Sequence, residues 1–350
     1  MTDQPLRVGF AGAVRHAGQY ARVLAEDPRV RIVGMTDHPE VSQWITQDGK
    51  ALCRTLGVPW IDDPAELLQP AAIDLVIVCS EPTRHAGMVI DSLTAGLHTC
   101  CDKPVATDTA AADAVVRAAE HAGRVCTVVN RTFAPSLRRM RSWVDAGALG
   151  LPRHVDVEFL TSSAAMGSDV ERADLVVDPA LSGGGEMRNF LGYAVDAIRY
   201  LTGLEISQVY AETGALFDGP HGAHGVEDTA VVSLQLAHGV TATATVSRSP
   251  AVPTLGSAHS SIRLIGSHGH ATVDDETPRV IHFGPSGAAA RPVDGGGGAQ
   301  AVTAFFDDLI RCVALGRHPA YTVQDARTGV AVIDAAYRSA ETGQPVGVDA

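Results

Sequence analysis

Lysine is nearly absent from this chain. Lys and Arg together number 27 in 350 residues, yet only Lys50 and Lys103 are lysines. An amine kept at one such position matters chemically. Arg stays protonated, whereas Lys can lose its proton or shift its pKa when buried. Basic clusters are also missing, and the formal net charge is −13. That argues against nucleic acid and anionic membrane surfaces as partners. No apolar run reaches membrane-spanning length, and the first residues lack a basic-then-apolar signal pattern. The six cysteines are scattered, without C-x-x-C spacing, and Cys79, Cys100, Cys101 and Cys126 sit in apolar, strand-like runs. They predict reduced, buried thiols in a cytoplasmic protein, not a disulfide framework. A hydrophobic content of 45% with 19% charged residues fits a globular protein, and the length predicts two domains.

The first half alternates strand and helix. Leu6–Ala11 reads as a short apolar strand containing Gly9. The turn Gly12-Ala13-Val14-Arg15-His16-Ala17-Gly18 leads into a helix to about Glu26, and a second strand, Arg29–Thr36, ends at Asp37. An acid about 25 residues beyond the first turn glycine is close to the dinucleotide pattern, in which a helix N-terminus receives the pyrophosphate and the acid takes the ribose hydroxyls. Val14 stands at the second glycine position and Ala17 at the third. Asp37 would repel a 2′-phosphate, so NAD is expected, with NADP as the alternative. Ile73–Ser80, a helix His85–Ala95, Leu97–Asp102, a helix Ala110–Ala122 and Val125–Asn130 continue the alternation. This predicts an α/β fold with a doubly wound parallel sheet. Loops at Ser80-Glu81-Pro82 and Asp102-Lys103-Pro104 would line one crevice, because ligands bind at the carboxyl ends of such strands. Pro104, lacking an N–H, ends the strand ladder and leaves Lys103 at its tip.

In the second half, Ser136–Gly147 reads as a helix and Arg153–Thr161 as a half-solvated strand. A helix from Glu186 to about Thr202 follows the run Ser182-Gly183-Gly184-Gly185. Helical spacing puts Asn189, Tyr193, Asp196 and Tyr200 on one face and Met187, Leu191, Ala194, Ile198 and Leu201 on the other. Two tyrosines among four polar positions predict a lined cavity. Gln208–Ala215, Thr229–Leu236, Val240–Ser247, Ser260–Ile265 and His270–Val273 read as antiparallel strands. No metal site is expected. His268 and His270 point to opposite sides of a strand, and His221 and His224 fall in a Gly/Pro loop. Gly295–Gly298 reads as a flexible connection. Thr322-Val323-Gln324-Asp325 forms a capping box that opens the last helix.

Asp102-Lys103-Pro104 resembles the E-K-P motif of the Gfo/Idh/MocA (glucose–fructose oxidoreductase/inositol dehydrogenase) family. Glu81-Pro82-Thr83-Arg84-His85, with Ala95-Gly96-Leu97-His98 beyond it, is similar to the family's loop, helix and A-G-x-H run. Gly183-Gly184-Gly185 and Asp196 match its G-G-G-x-x-x-D-x-x-x-H-x-x-D motif, with Asn189 at the first Asp and Tyr193 at the His. Members resembling glucose–fructose oxidoreductase also carry Tyr there. The resemblance implies a Rossmann domain over residues 1–128. It also implies an α+β domain with a large, mostly antiparallel open sheet over residues 129–350, through which the chain would form a homodimer or homotetramer.

The resemblance further implies a nicotinamide-dependent dehydrogenase acting on a sugar, cyclitol or related polyol. Lys103, Tyr193 and Asp196 would be catalytic. Gly9, Gly12, Ala13, Val14, Asp37, Ser80, Glu81, His85, Asp102 and Lys103 would hold the cofactor. Lys103, Arg131, Asn189 and Tyr193 would hold substrate. A phenol ordinarily has a pKa of about 10, and a neighbouring ammonium favours its ionised form. Asp196 would orient the pair or bind a hydroxyl, and His85 reads as structural. Two rivals use the same residues. One is a redox-neutral enzyme with tightly bound NAD, an isomerase, lyase or glycosidase. The other is a non-catalytic sensor of NAD(P) or sugar.

Overall fold

The computed structural model describes residues 4–163, 166, 172–249, 258–274, 279–284, 287–292 and 297–349. Five strands form the first sheet: β1 (Leu6–Ala11), β2 (Val30–Thr36), β3 (Leu75–Val78), β4 (His98–Cys101) and β5 (Cys126–Val128). All its pairings are parallel, in the order β2-β1-β3-β4-β5. β3 is buried at every position, as the unbroken apolar run of a strand covered on both faces requires. The order reverses direction at β1. The crevice therefore opens beyond the carboxyl ends of β1, β3 and β4, where Gly12, Ser80 and Lys103 stand. The helix Gln43–Leu56, which the sequence reading did not pick out, lies between β2 and β3. All six cysteines are buried and free, and burial pushes the Cys79, Cys100 and Cys101 thiols well above their ordinary value.

The second sheet has nine strands among the described residues. They are β6 (Pro152–Ser162), β7 (Ile206–Gly214), β8 (Thr229–Leu236), β9 (Thr241–Ser249), β10 (Ala258–Gly266), β11 (His270–Asp274), β12 (Arg279–Gly284), β13 (Gly287–Pro292) and β14 (Val346–Gly347). Their order is β13-β12-β11-β10-β6-β9-β8-β7-β14, antiparallel except for the β6–β9 pair. β8 shows the one-sided packing: Ala230, Val232, Leu234 and Leu236 are buried while the alternate side chains face out. Against the buried face lies the helix Glu186–Thr202. Its Met187, Leu191, Ala194, Ile198 and Leu201 are buried, as their spacing predicts. Burying each large aliphatic side chain contributes about 1.5–3 kcal/mol, and that seats the helix firmly.

Two long helices, Gly297–Leu315 and Val323–Thr342, end the fold. The second opens on the expected capping box, with Thr322 and Asp325 bonding each other's backbone N–H. Gly297 and Gly298 belong to the first of these helices, so those two glycines are helical and not part of a flexible connection. Residues 295 and 296 lie outside the described residues. His221 and His224 lie on a short helix, Gly219–His224, and not in a loop. Asp218, His221 and the buried Glu186 join there by hydrogen bonds. Among the described residues no helix is long and apolar enough to cross a membrane. Nor does any group of three or more His, Cys, Asp or Glu there suit a metal ion.

Candidate active site

Strand β4 delivers Lys103 to the crevice, and the helix Glu186–Thr202 meets it from the other half. Lys103 Nζ donates to the backbone oxygen of Asn189 at 2.8 Å and to its Oδ1 at 2.6 Å. It also lies 4.9 Å from the centroid of the Tyr193 ring and 5.1 Å from that of Phe190. The Arg131 guanidinium lies 5.4 Å from the Tyr193 ring and 5.1 Å from the Phe159 ring. Lys103, Arg131 and the helix pair Asn189 and Tyr193, from three separate parts of the sequence, therefore surround one spot. Lys103, Asn189, Tyr193 and Asp196 line a common cavity with Arg188 and Tyr321.

Asp196 lines that cavity too, and its carboxylate is held by Tyr321 and Asn130. Its Oδ1 accepts from Tyr321 Oη at 2.9 Å and its Oδ2 from Asn130 Nδ2 at 2.5 Å. Burial pushes its pKa up to about 7, against the Tyr321 hydrogen bond and Arg199. Asp102, beside Lys103, is fully buried. Its carboxylate accepts from Tyr20 Oη, His16 Nδ1 and the Lys103 N–H, each at 2.8 Å. Burial alone would raise its pKa, but His16, His85 and Arg15 outweigh that and hold it well below the usual carboxylate range. Asp102 thus ties the glycine turn to the strand tip. His85 is a strut of the same kind. Its ring nitrogens sit 2.6 Å from the Pro104 oxygen and 3.0 Å from the Ser80 oxygen, and burial lowers its pKa.

The nucleotide side of the crevice fits the expected cofactor. Gly12 has φ +83, and a Cβ there would stand 2.7 Å from the Cys79 carbonyl oxygen. Only glycine allows this turn so close to β3. Val14 turns its side chain into an apolar cluster with Ile45 and Leu175, and its N–H donates to Cys79 O at 3.1 Å. Asp37 is buried and pairs with Arg84 and the His38 N–H. Its Oδ2 and the Oε2 of Glu81 are buried acceptors with no hydrogen-bond partner. Buried carboxylate oxygens in need of donors suit ribose hydroxyls. Burial raises the Glu81 pKa, with Arg84 opposing. Ser80 is buried between these loops, and Ala13 is buried in the turn. Gly9 stands apart. It lies inside β1, where a Cβ would meet Ile73 Cδ1 at 2.9 Å, so the structure places it in the core.

Several residues at the site carried no role in the sequence reading. Arg15 has φ +51, an uncommon backbone state for a residue with a side chain. It is buried and donates to Asn189 Oδ1 at 3.0 Å and to Leu175 O at 3.1 Å. Its Nε is buried without a partner. Glu186, Arg248 and His221 are fully buried beneath Asn189. A charged residue at the first turn of an amphipathic helix is a sign that sequence can offer. The partners that bury these residues come from remote segments and leave no local trace.

Known proteins match both halves in order. Residues 6–130 match the GFO/IDH/MocA family as its NAD-binding Rossmann-fold oxidoreductase domain. Residues 137–272 match the GFO/IDH/MocA C-terminal domain. The uncharacterized oxidoreductase YrbE of Bacillus subtilis (strain 168) is 26% identical over 287 residues, covering 80% of this chain and 77% of that protein. The inositol 2-dehydrogenase of Rhizobium meliloti (strain 1021) is 25% identical over 340 residues, or 95% and 96% of the two chains. The crystal structure of GenD2 from gentamicin A biosynthesis, in complex with NAD, superposes with a TM-score of 0.83 at 25% identity, over 100% of this chain and 98% of that one. With a parallel nucleotide-binding sheet in front and the matched open sheet behind it, this chain belongs to the GFO/IDH/MocA family of NAD-binding oxidoreductases.

Proposed function

We propose that this protein moves a hydride between NAD and a secondary carbinol carbon of a sugar, cyclitol or related polyol, with Lys103 and Tyr193 as its acid–base pair. The observation that carries this reading is Lys103 Nζ lying 4.9 Å from the Tyr193 ring centroid, an amine from the front half beside a phenol from the rear half. A relative over almost the full length is named for inositol, a cyclitol. The structurally similar GenD2 was crystallised with NAD.

When bound, NAD supplies the acceptor for the hydride. Gly12, Ala13, Val14 and Arg15 would hold its pyrophosphate, and Asp37 its ribose, with Ser80 and Glu81 on the β3 side. Asp102 and His85 would hold the loops that hold the cofactor. At the substrate end, Tyr193 takes the hydroxyl proton as the carbon becomes a carbonyl. It accepts that proton as its phenolate, the form that the neighbouring Lys103 ammonium favours, and Lys103 also polarises the substrate oxygen. Arg131, and Asn189 through its remaining amide hydrogen, would bond neighbouring hydroxyls. The division at residues 128/129 is then one of labour, with cofactor in front and substrate behind. A homodimer or homotetramer through the open sheet and a cytoplasmic location, supported by six free buried cysteines, belong to the same reading.

A second reading, retention of the cofactor through the cycle, is favoured by the segment from Arg172 to Ser182. Leu175 O accepts from Arg15, Ala180 O accepts from Thr83, and Arg172 stacks on Trp44 and pairs with Asp48. The segment thus crosses the nucleotide crevice. The test is a polyol and aldose panel with added NAD, followed by NADH absorbance. Lys103→Ala and Tyr193→Phe should each lower kcat by about 10²–10⁴-fold while NAD still binds. Full turnover by Tyr193→Phe would remove the tyrosine from the pair. Nucleotide that co-purifies and shows no net reduction would favour the second reading.

A further inference from the structure

Asn189 stands where the related motif carries an aspartate, yet the site has not lost a carboxylate. Glu186, one turn earlier on the same helix, presents Oε2 to Asn189 Nδ2 at 3.0 Å. On its other side Asn189 Oδ1 accepts from both Lys103 Nζ, at 2.6 Å, and Arg15 Nη2, at 3.0 Å. Two cationic donors on one side and a carboxylate on the other leave this amide a single orientation. Glu186 is itself held tightly. Its Oε1 accepts from Arg248 Nε and lies 3.1 Å from His221 Nε2, whose Nδ1 lies 2.6 Å from Asp218. Glu186, Arg248 and His221 are each fully buried.

We propose that Glu186 has taken over the charge of that aspartate and acts, through Asn189, as a positioning residue for Lys103. The inference rests on the reading of Lys103 as the catalytic amine. An isolated buried carboxylate is costly and persists when it is paired and hydrogen-bonded, and this one is satisfied from both ends. The arrangement also accounts for asparagine at 189. An aspartate there would set a second carboxylate oxygen about 3 Å from Glu186, and like charges at that distance cannot both ionise readily. The site has room for one carboxylate, at 186 or at 189. In a Glu186→Gln/Asn189→Asp exchange the hydrogen bonds survive. The introduced glutamine can accept from Arg248 through its amide oxygen while its amide nitrogen donates to the introduced aspartate. That aspartate still accepts from Lys103 and Arg15.

The experiment is this reciprocal exchange, read as kcat and KM with NAD and the best polyol of the panel. Glu186→Gln and Asn189→Asp should each lower kcat by about tenfold or more and leave KM for NAD nearly unchanged. The double variant should recover to within about threefold of the wild type, a coupling of the size seen between contacting groups. If Glu186 is only a structural charge, the double variant will be no more active than the worse single one, and that result overturns the proposal. A second measurement holds if Glu186→Gln does not fold. Asn189→Asp alone, with the surrounding Arg15, Lys103, Arg248, His221 and Asp218 intact, and with Glu227, whose backbone oxygen accepts from the Glu186 N–H, should lose more activity relative to wild type as pH rises, because the carboxylate pair then loses its shared proton. An equal loss at every pH overturns the inference as well. Lys103→Ala, assayed alongside, separates the two levels. If it keeps NAD-dependent turnover, the reading of Lys103 fails whatever the exchange shows.

Discussion

Asp196 is a residue whose protonation the fold changes. Burial lifts its pKa from 3.8 to about 7, so the folded chain holds a proton that the unfolded chain has already released. Stability changes with pH as the unfolded state's bound protons minus the native state's. Here that difference is negative between about pH 4 and pH 7, so stability falls as pH rises through that window and levels off above it. Each tenfold change in acidity is worth about 1.4 kcal/mol, which makes the whole effect on the order of 4 kcal/mol. Denaturant titrations across the window should show this slope, and Asp196→Asn should flatten it. Asp102 and Glu186 act with the opposite sign. Burial alone would raise both, but their cationic partners hold them below their ordinary values. Their contribution is therefore present at neutral pH and lost in strong acid. At this scale motif and helical spacing aim Lys103, Asn189 and Tyr193 at one crevice, and the family resemblance adds Arg131, which the structure sets beside the Tyr193 ring. The sequence did not reveal that Asp196 would bond Tyr321 and Asn130, since Tyr321 lies 125 residues along the chain from Asp196 and no local pattern encodes that contact.

The helix Glu186–Thr202 is the element on which the site depends, and its first turn fits only because Gly185 precedes it. A Cβ at 185 would lie 2.0 Å from the Glu227 carbonyl oxygen and 2.7 Å from Glu227 Cδ. Gly185→Ala must therefore push the helix start away from backbone, which typically costs about 1–3 kcal/mol. A thermal melt should show a drop of about 2–4 °C per kcal/mol, and the NAD-dependent rate should fall further because Glu186 and Asn189 move with the turn. Gly192→Ala on the same helix has the opposite sign. Its added methyl would meet only Ile333 Cδ1 at 3.8 Å, and Ala for Gly inside a helix gains about 0.5–1 kcal/mol, so its melting temperature should rise. Elements bounded by such residues were legible. Leu6–Ala11, Glu186–Thr202 and Thr229–Leu236 have the limits that their apolar period and flanking glycine, proline or turn residues predict. The helix Gln43–Leu56 was not legible, because Gly49 stands at the middle of its apolar stripe; it buries Ile45, Gly49 and Cys53, and Trp44, Leu52 and Leu56 pack half-buried beside them.

Across the whole molecule, the two sheets share their cover. The helices Gly297–Leu315 and Val323–Thr342 place Phe305, Phe306, Leu309, Ile310, Val323 and Val330 in the core of the parallel sheet. The same helices place Ala301, Val332, Ile333, Ala335 and Ala336 in the core of the open sheet. Asp334 adds a polar tie, accepting from Thr109 of the front half and Arg188 of the rear. A boundary at 128/129 follows the change of sheet but cuts the first core from part of its lining. A fragment ending at residue 128 would expose the surface that Phe305, Phe306, Leu309 and Ile310 cover. Burying a large apolar side chain contributes about 1.5–3 kcal/mol, so four of them match the entire stability of an ordinary domain, about 5–15 kcal/mol. That fragment should give a circular dichroism spectrum without a cooperative melt and should fail to bind NAD. The intact chain should melt in one transition, because neither sheet can lose the shared helices and keep its core. A separate, earlier transition for the front half, or NAD binding by residues 1–128 alone, would show that the C-terminal helices only lean on a core that is already complete.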